Sequence, residues 1–226
     1  MRLRRLYVCD TAIRSLRQLL QAFQSNPVST LDQPRIVRML SRLLGRVLRG
    51  RSATENKLIW NHKSIAFAPV VIELRSPAFA SMQQIPASHL GSATGGNLSP
   101  ALEWTGLPAQ TQELVLIVED ADAPLPFAFV HAIAVGINPQ RTGLPVGALS
   151  SASHGLLSLG RNTFGGSTYI GPQPLAGHGP HRYSFQLIAL DRQLHFDAPP
   201  NRSQLLKALE GAVIGRGRLD GIHERP

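Results

Sequence analysis

With 226 residues, of which 43% are hydrophobic, the chain is long enough for one sizeable core and an extension. The formal net charge of +9 lies entirely in residues 1–54, where eleven arginines outnumber Asp10 and Asp32, because residues 55–226 contain equal numbers of basic and acidic residues. This balance argues against nucleic-acid binding by the core.

The cysteine count and the apolar runs narrow the class of protein further. Cys9 is the only cysteine, which excludes an intramolecular disulfide and a secreted domain built on disulfides. No run approaches the roughly 18–20 apolar residues of a membrane span, and Asp10 interrupts the short apolar start that a signal peptide would need. We therefore expect a cytoplasmic protein.

Residues 1–54 are predicted to form a basic helical extension. Apolar residues recur at helical spacing from Ile13 to Phe23, and Asn26-Pro27 ends this first pattern. A second pattern places apolar residues on one stripe and arginines on another: Ile36, Leu40, Leu43, Leu44 and Val47, then Arg35, Arg38, Arg42, Arg46 and Arg49. The second pattern is the stronger helix prediction.

The role of this extension stays open between several interpretations. A helix with an apolar and a basic stripe lies on an anionic membrane surface, packs on a protein partner or in a homodimer, or docks on its own domain. The Arg-rich, acid-poor composition also resembles an organellar transit peptide. We favour docking on protein narrowly, because the helix is short and no second membrane signal is visible.

Residues 55–69 are predicted to be a linker, and residues 70–226 a separate domain. From about Pro69 the sequence consists of short β-type runs separated by Pro and Gly. One late helix is predicted from an N-cap, apolar residues four apart and a glycine stop: Asn201, Leu205, Leu209, Val213 and Gly215. Many short strands with one late helix favour a mainly β, sandwich-like domain.

Two motifs place polar side chains at the ends of predicted strands. Asp120-Ala-Asp-Ala-Pro124 follows the buried strand 114–119. Gly177-His-Gly-Pro-His-Arg-Tyr183 leads into the strand 183–190. Each motif joins a strand to a turn rich in Pro or Gly and presents side chains that bind protons, anions or metals.

A third predicted strand, 131–137, begins with His131. If it forms an antiparallel hairpin with the strand before Asp120, then Asp120 and His131 lie at one end of the sheet, where His181 can join them. Strict alternation places His131 on one face with Ile133 and Val135. Since a polar group on an apolar face needs a partner, these histidines are either satisfied core residues or part of a pocket, and their convergence favours the pocket.

These motifs together resemble the phosphatidylethanolamine-binding protein family, in particular its bacterial Raf-kinase-inhibitor-like branch. The matching motifs, in chain order, are Ser76-Pro-Ala-Phe79, Ile85-Pro86, Asn97-x-Ser-Pro-x-Leu-x-Trp104, Asp120-x-Asp-Ala-Pro124, His131, Gly160-x-Asn162, Tyr169-x-Gly-Pro172 and Gly177 with His181-Arg-Tyr183. The resemblance covers roughly residues 70–221 and leaves the extension unexplained.

The resemblance implies a large central β-sheet packed on a smaller sheet, a C-terminal helical part, and a small anion pocket at one end of the sheet. Carried over by motif, the pocket residues are Asp120, His131, Gly171, Pro172, His181 and Tyr183. The family also tends to have a cis peptide bond before the proline that matches Pro124, which an Ala-Pro bond tolerates. Bacterial relatives commonly flank the pocket histidine with tryptophans, whereas this chain has Val130 and Ala132.

The predicted function is the binding of a small phosphorylated or carboxylated ligand, with inhibition of a kinase or protease as an activity known in the family. A carboxylate beside an imidazole favours the imidazolium, and a phenol and backbone amides near Gly171 add donors for an anion. Asp122 and Arg182 are predicted to form an ion pair that supports the site together with Pro124.

An enzyme is the main alternative. Two histidines and two aspartates are able to hold a divalent metal, and a His–Asp pair alone suffices for acid–base chemistry. The sequence contains no helical His-Glu-x-x-His motif and no Gly-x-Ser-x-Gly elbow. We therefore predict no metal, no cofactor and no catalysis; a peripheral membrane or docking protein acting through the extension is the other alternative.

Overall fold

The structure is a computed structural model that describes residues 33–150 and 155–226, and side chains from residue 39 onward. The first predicted helical pattern, Ile13 to Phe23, lies outside the described residues. The chain divides into two compact units between Leu40 and Ser41, and the contacts below lie within the second. This boundary differs from the predicted one at residue 54.

Within the described ranges the chain forms nine strands and two α-helices. The helices are α1 (Gln33–Leu48) and α2 (Arg202–Ala208). The strands are β1 (Glu73–Arg75), β2 (Gln83–Gln84), β3 (Leu102–Thr105), β4 (Glu113–Asp120), β5 (Phe129–Ile137), β6 (Gly143–Leu144), β7 (Ser158–Leu159), β8 (His181–Leu190) and β9 (Val213–His223). Short 3-10 turns occupy Glu55–Lys57, Ile59–Asn61 and Ala87–His89.

The strands form one large and one small sheet, which confirms the predicted mainly β fold. The large sheet has the order β2-β9-β8-β4-β5-β7, and the small one has the order β1-β3-β6. Strands β4 and β5 pair antiparallel, as predicted, and β8 pairs antiparallel with the other edge of β4. The ends of β4 and the starts of β5 and β8 therefore meet at one end of the large sheet.

The central strands are buried on both faces, which explains why they read as continuous apolar runs. One face, with Leu116 and Phe185, packs on residues of the small sheet such as Trp104. The other face, with Ile117 and Ile188, packs on residues outside both sheets. The site described below lies at the end of this doubly covered layer.

The segment predicted as a linker is part of the second core face. Ile59 and Ile65 are fully buried against it. The buried Glu119 carboxylate accepts hydrogen bonds from the Ile59 backbone N–H at 2.7 Å and from Arg202 Nε at 2.6 Å. Because a buried carboxylate needs such partners, this contact fastens the segment and α2 to β4.

Strand β9 corrects the predicted late helix. The N-cap is present, with Asn201 and Gln204 forming a capping box, but α2 ends at Ala208. Val213 and Gly215 belong instead to β9, which pairs with β8 along its length. The inward positions of β9 are mostly glycine, and neighbouring atoms lie close to them: a Cβ on Gly217 would sit 2.3 Å from the Ile72 carbonyl oxygen, and one on Gly221 would sit 2.5 Å from the Ile85 side chain.

Within the second unit, the part of helix α1 that follows Leu40 contacts the loop before β8 through a glycine. A Cβ on Gly45 would lie 2.1 Å from the Ala176 carbonyl oxygen, so helix and loop touch backbone to backbone. Gly50, with a φ of 81°, ends the helical region in the left-handed conformation that glycine favours. The last turns of α1 therefore lie directly against the loop that precedes β8.

Candidate functional site

Asp120, the last residue of β4, organises the turn that follows it. Its Oδ1 accepts hydrogen bonds from the backbone N–H of Asp122 at 2.7 Å and of Ala123 at 3.0 Å. Its Oδ2 faces β8, where His181 Nδ1 donates to it at 2.7 Å. The residue is 4% exposed, so both carboxylate oxygens are satisfied by protein groups in a buried position.

His181 continues this contact into a chain of hydrogen bonds. Its Nε2 lies 2.8 Å from His178 Nδ1. On its far side, His178 Nε2 donates to the carbonyl oxygens of Leu48 at 3.0 Å and Arg51 at 3.1 Å. The chain therefore runs from Asp120 through two imidazoles to the end of α1.

Proton counting assigns a charge to this chain. Carboxylate and carbonyl oxygens only accept hydrogen bonds, so His181 Nδ1 and His178 Nε2 each carry a hydrogen. The bond between the two rings needs one more hydrogen, which makes three on four ring nitrogens. The two rings thus share one positive charge, and the Asp120 carboxylate balances it.

His131 reaches the same region through an irregularity of β5. Val118 pairs with Ala132 and Glu119 pairs with Val130, so His131 is the extra residue of a β-bulge. The bulge overturns the predicted alternation: Ile133 and Val135 pack on the other core face, while the His131 ring makes an edge contact with Tyr183 at 5.1 Å between centroids.

The free ring nitrogen of His131 is the most distinctive atom of the site. His131 Nδ1 donates to the Ile170 carbonyl oxygen at 2.5 Å, whereas Nε2 is buried and has no hydrogen-bond partner among the described residues. Burial lowers the pKa of His131, although the Asp120 charge acts in the opposite direction. The neutral ring therefore presents Nε2 as an unused acceptor.

Tyr183 lies between the two histidines on the same side of the sheet. Its ring is stacked on His181 at 6.4 Å and touches His131. Burial, together with the negative charge of Asp120, raises its pKa well above the ordinary value. The phenol therefore keeps its proton and remains a hydrogen-bond donor, and its hydroxyl makes no hydrogen bond to another described residue.

The loop at Gly171 and Pro172 is built differently from the expectation. The Gly171 N–H, expected to face an anion, donates instead to Asn97 Oδ1 at 2.8 Å. The Pro172 carbonyl accepts from the Gly91 N–H, and proline has no N–H of its own. Because a Cβ on Gly171 would lie 2.5 Å from the His89 carbonyl oxygen, this glycine permits a close backbone contact.

Asp122 and Arg182 lie on the outer side of the strand end, as alternation predicts. Arg182 Nε donates to Asp122 Oδ2 at 2.9 Å, and the guanidinium also reaches Glu55. Burial opposes ionisation of Asp122, but the bonds from Arg182 outweigh it and lower its pKa. The described residues contain no cis peptide bond, so the expected cis isomer before Pro124 is not observed.

The structure adds two histidines, His178 and His223, that the sequence analysis did not assign to the site. His178 bonds to His181, and His223 lies opposite His181 in the β8–β9 pair. His223 Nε2 is also buried without a hydrogen-bond partner among the described residues. The sequence contained a signal for His178, because it lies three residues before His181 in the same motif. It contained none for His223, whose position beside His181 depends on the pairing of β9 with β8.

The buried, neutral His131 is expected to make the stability of the folded protein depend on pH in the mildly acidic range. Because its pKa is lowered by folding, the unfolded chain binds more protons below the ordinary value of 6.5. We expect the free energy of unfolding to fall as the pH drops through this range, and His131→Gln to remove part of the slope. Urea unfolding of both proteins between neutral and mildly acidic pH measures it; identical slopes would contradict this assignment.

The comparisons with known proteins agree with this fold. The family model described as phosphatidylethanolamine-binding protein matches residues 75–224. A UPF0098 protein of Pyrococcus horikoshii is 39% identical over 154 residues, which cover 66% of this chain and 75% of the relative. The chain is therefore a member of a β-sheet ligand-binding class, and it belongs to the phosphatidylethanolamine-binding protein family.

Solved structures give the same result. A homologue of this family from Chlamydia trachomatis is 31% identical with a TM-score of 0.62, covering 69% of this chain and 99% of the other. YbcL from E. coli is 28% identical with a TM-score of 0.66, and the match covers 70% of this chain and 100% of YbcL. The family match begins at residue 75, so α1 lies outside it.

Two further features concern the metal ligands and helices of the described residues. Among residues 33–150 and 155–226, no group of three or more His, Cys, Asp or Glu side chains is arranged to hold a metal ion. Within the same ranges, no helix has the length and apolar character needed to cross a membrane.

Proposed function

We propose that the protein binds a small oxoanion, such as the phosphate or carboxylate group of a larger ligand, at His131 and Tyr183. The observation that carries this proposal is the buried His131 Nε2, which lacks a hydrogen-bond partner among the described residues and lies beside a protonated phenol. A buried polar atom left unpaired costs about 1–3 kcal/mol, which a ligand that supplies its hydrogen bond recovers.

The charge balance of the site determines how an anion binds. Asp120 already neutralises the charge shared by His178 and His181, and both His181 nitrogens are bonded within the protein. The binding of an anion therefore has to be accompanied by a proton, which either the site or the ligand carries. Either His131 takes up a proton and donates from Nε2, or a protonated ligand oxygen donates to Nε2; lower pH favours both routes.

Anion binding is therefore expected to weaken as the pH rises from about 6 to 8, by at most tenfold per pH unit for one coupled proton. Calorimetric titration with sulfate separates the two routes, because sulfate does not titrate in this range whereas phosphate does. A pH dependence seen with both ions assigns the proton to His131. An affinity that does not change with pH for either ion would contradict the proposal.

The variants for this titration follow from the same contacts. His131→Gln and Tyr183→Phe each remove one group from the ligand and are expected to weaken binding by about tenfold or more. His195→Gln is the matched control, because His195 is exposed and lies outside the site. Equal affinity of His131→Gln and the His195→Gln control would contradict the proposed site.

The hydrolase alternative has less support from the geometry. Asp120 and His181 resemble an orienting carboxylate and a general base, but the His181 Nε2 that would act as the base is bonded to His178. Regulation of a kinase or protease and a cytoplasmic location stay predictions.

A further inference from the structure

Helix α1 presents a free apolar stripe on the side that faces away from its own contact. Leu43 and Val47, four residues apart, lie on one face and are 60% and 66% exposed. Gly45, two residues from each, points to the roughly opposite side of the helix, where it touches the Ala176 backbone. The helix is thus held to the protein by its glycine face, and Leu43 and Val47 stay exposed among the residues that the structure describes.

The exposure of this stripe bears on the three roles that the sequence left open for the helix: docking on its own domain, on a protein partner or on a membrane. If α1 docked on its own domain through its apolar stripe, Leu43 and Val47 would be buried, and they are not. The stripe also includes Leu44, which is 50% exposed, and it continues to Met39 and Leu40 on the same helix. An apolar stripe of this length on an exposed helix marks an interaction surface.

The charge beside the stripe identifies the kind of partner. From Gln33 to Thr54 the sequence contains six arginines and no acidic residue. Arg42, Arg46 and Arg49 are exposed and lie on the flank between the apolar stripe and the glycine face. The same helix of a second copy offers no acidic residue to pair with these arginines, and an antiparallel pairing would bring the two arginine rows together.

We propose that α1 is a membrane-docking helix that lies on an anionic lipid surface. Such a surface offers an apolar layer for Leu43, Leu44 and Val47 and negative charge for Arg46 and Arg49. Arg42 Nε already donates to the Pro226 oxygen at 3.3 Å. The helix lies in the plane of the interface and does not cross it. Because the glycine face stays against the loop before β8, docking brings the end of the large sheet close to the membrane.

This inference is independent of the proposed anion site and is tested on the full chain with vesicles. Sedimentation with phosphatidylcholine vesicles, with and without added phosphatidylglycerol, is expected to show binding only when the anionic lipid is present. Raising the salt concentration from about 0.1 to 1 M shortens the Debye length from about 10 to 3 Å and is expected to release the protein. Equal binding to both kinds of vesicle, or none to either, would overturn the proposal.

Point variants separate α1 from the rest of the basic extension. The double variant Leu43→Ser with Val47→Ser is expected to bind at least tenfold more weakly, because two apolar side chains no longer enter the interface. Phe67→Ser is its control, since Phe67 is 91% exposed and lies outside the helix. The variant Arg46→Gln with Arg49→Gln is expected to lose about tenfold or more, and Arg161→Gln, also exposed, very little.

The competing occupant has its own readout. If α1 instead joins two copies of the chain, sedimentation velocity without lipid shows a dimer that the Leu43→Ser with Val47→Ser variant converts to a monomer. That result would overturn membrane docking. A molecular mass unaffected by the variant, together with its loss of vesicle binding, supports it.

Discussion

Replacing Asp120 by alanine is expected to lower the free energy of unfolding by about 3–5 kcal/mol, the usual cost of leaving a buried charge without its partner. Asp120 is 4% exposed, and its carboxylate balances the charge shared by His178 and His181. Its removal also leaves the backbone N–H groups of Asp122 and Ala123 without their acceptor. Urea unfolding at neutral pH measures the difference.

Two further variants separate the causes. Asp120→Asn keeps an oxygen that accepts from the Asp122 N–H but removes the negative charge, so an intermediate loss is expected. Asp191→Ala removes a surface carboxylate paired with Arg192 and is expected to change stability little. If Asp120→Ala were as stable as the Asp191→Ala control, the carboxylate would not be the partner of the two imidazoles.

The strands of the fold were predictable from the sequence where they consist mainly of apolar side chains. Strands β4, β5 and β8 are buried on both faces and read as apolar runs. Strand β9 was missed because its inward positions are glycines, such as Gly217 and Gly221, which carry no apolar signal. Their small size is required by close neighbours, a property of the folded chain that a propensity argument does not detect.

The site was predictable to the extent that strand ends specify it. The turn after β4 and the start of β8 bring Asp120 to His181, as the sequence indicates. The orientation of His131 was not predictable, because a single-residue bulge reverses the alternation. The motif shared with His181 was a signal for His178, but its other two partners are the backbone carbonyls of Leu48 and Arg51, about which side-chain motifs carry no information.

The contact between α1 and the loop before β8 predicts whether Gly45→Ala stabilises or destabilises the helix. Alanine is a better helix former than glycine by about 1 kcal/mol, so Gly45→Ala would stabilise a helix that touches nothing. In the structure the added Cβ lies 2.1 Å from the Ala176 carbonyl oxygen and 2.9 Å from the His178 backbone nitrogen. We therefore expect the substitution to destabilise the docked helix.

Overpacking of this kind costs about 1–3 kcal/mol, which corresponds to a change of about five- to 140-fold in the equilibrium between docked and released helix. Hydrogen exchange of the backbone amides of residues 41–51 measures this opening. The same opening removes the acceptors of His178 Nε2, because Leu48 and Arg51 then move away. Leu44→Ala is the control, because it changes an exposed position of the same helix. Slower exchange in Gly45→Ala than in the unmodified chain would show that α1 does not dock through its glycine, and the apolar stripe would then have to be reassigned to that contact.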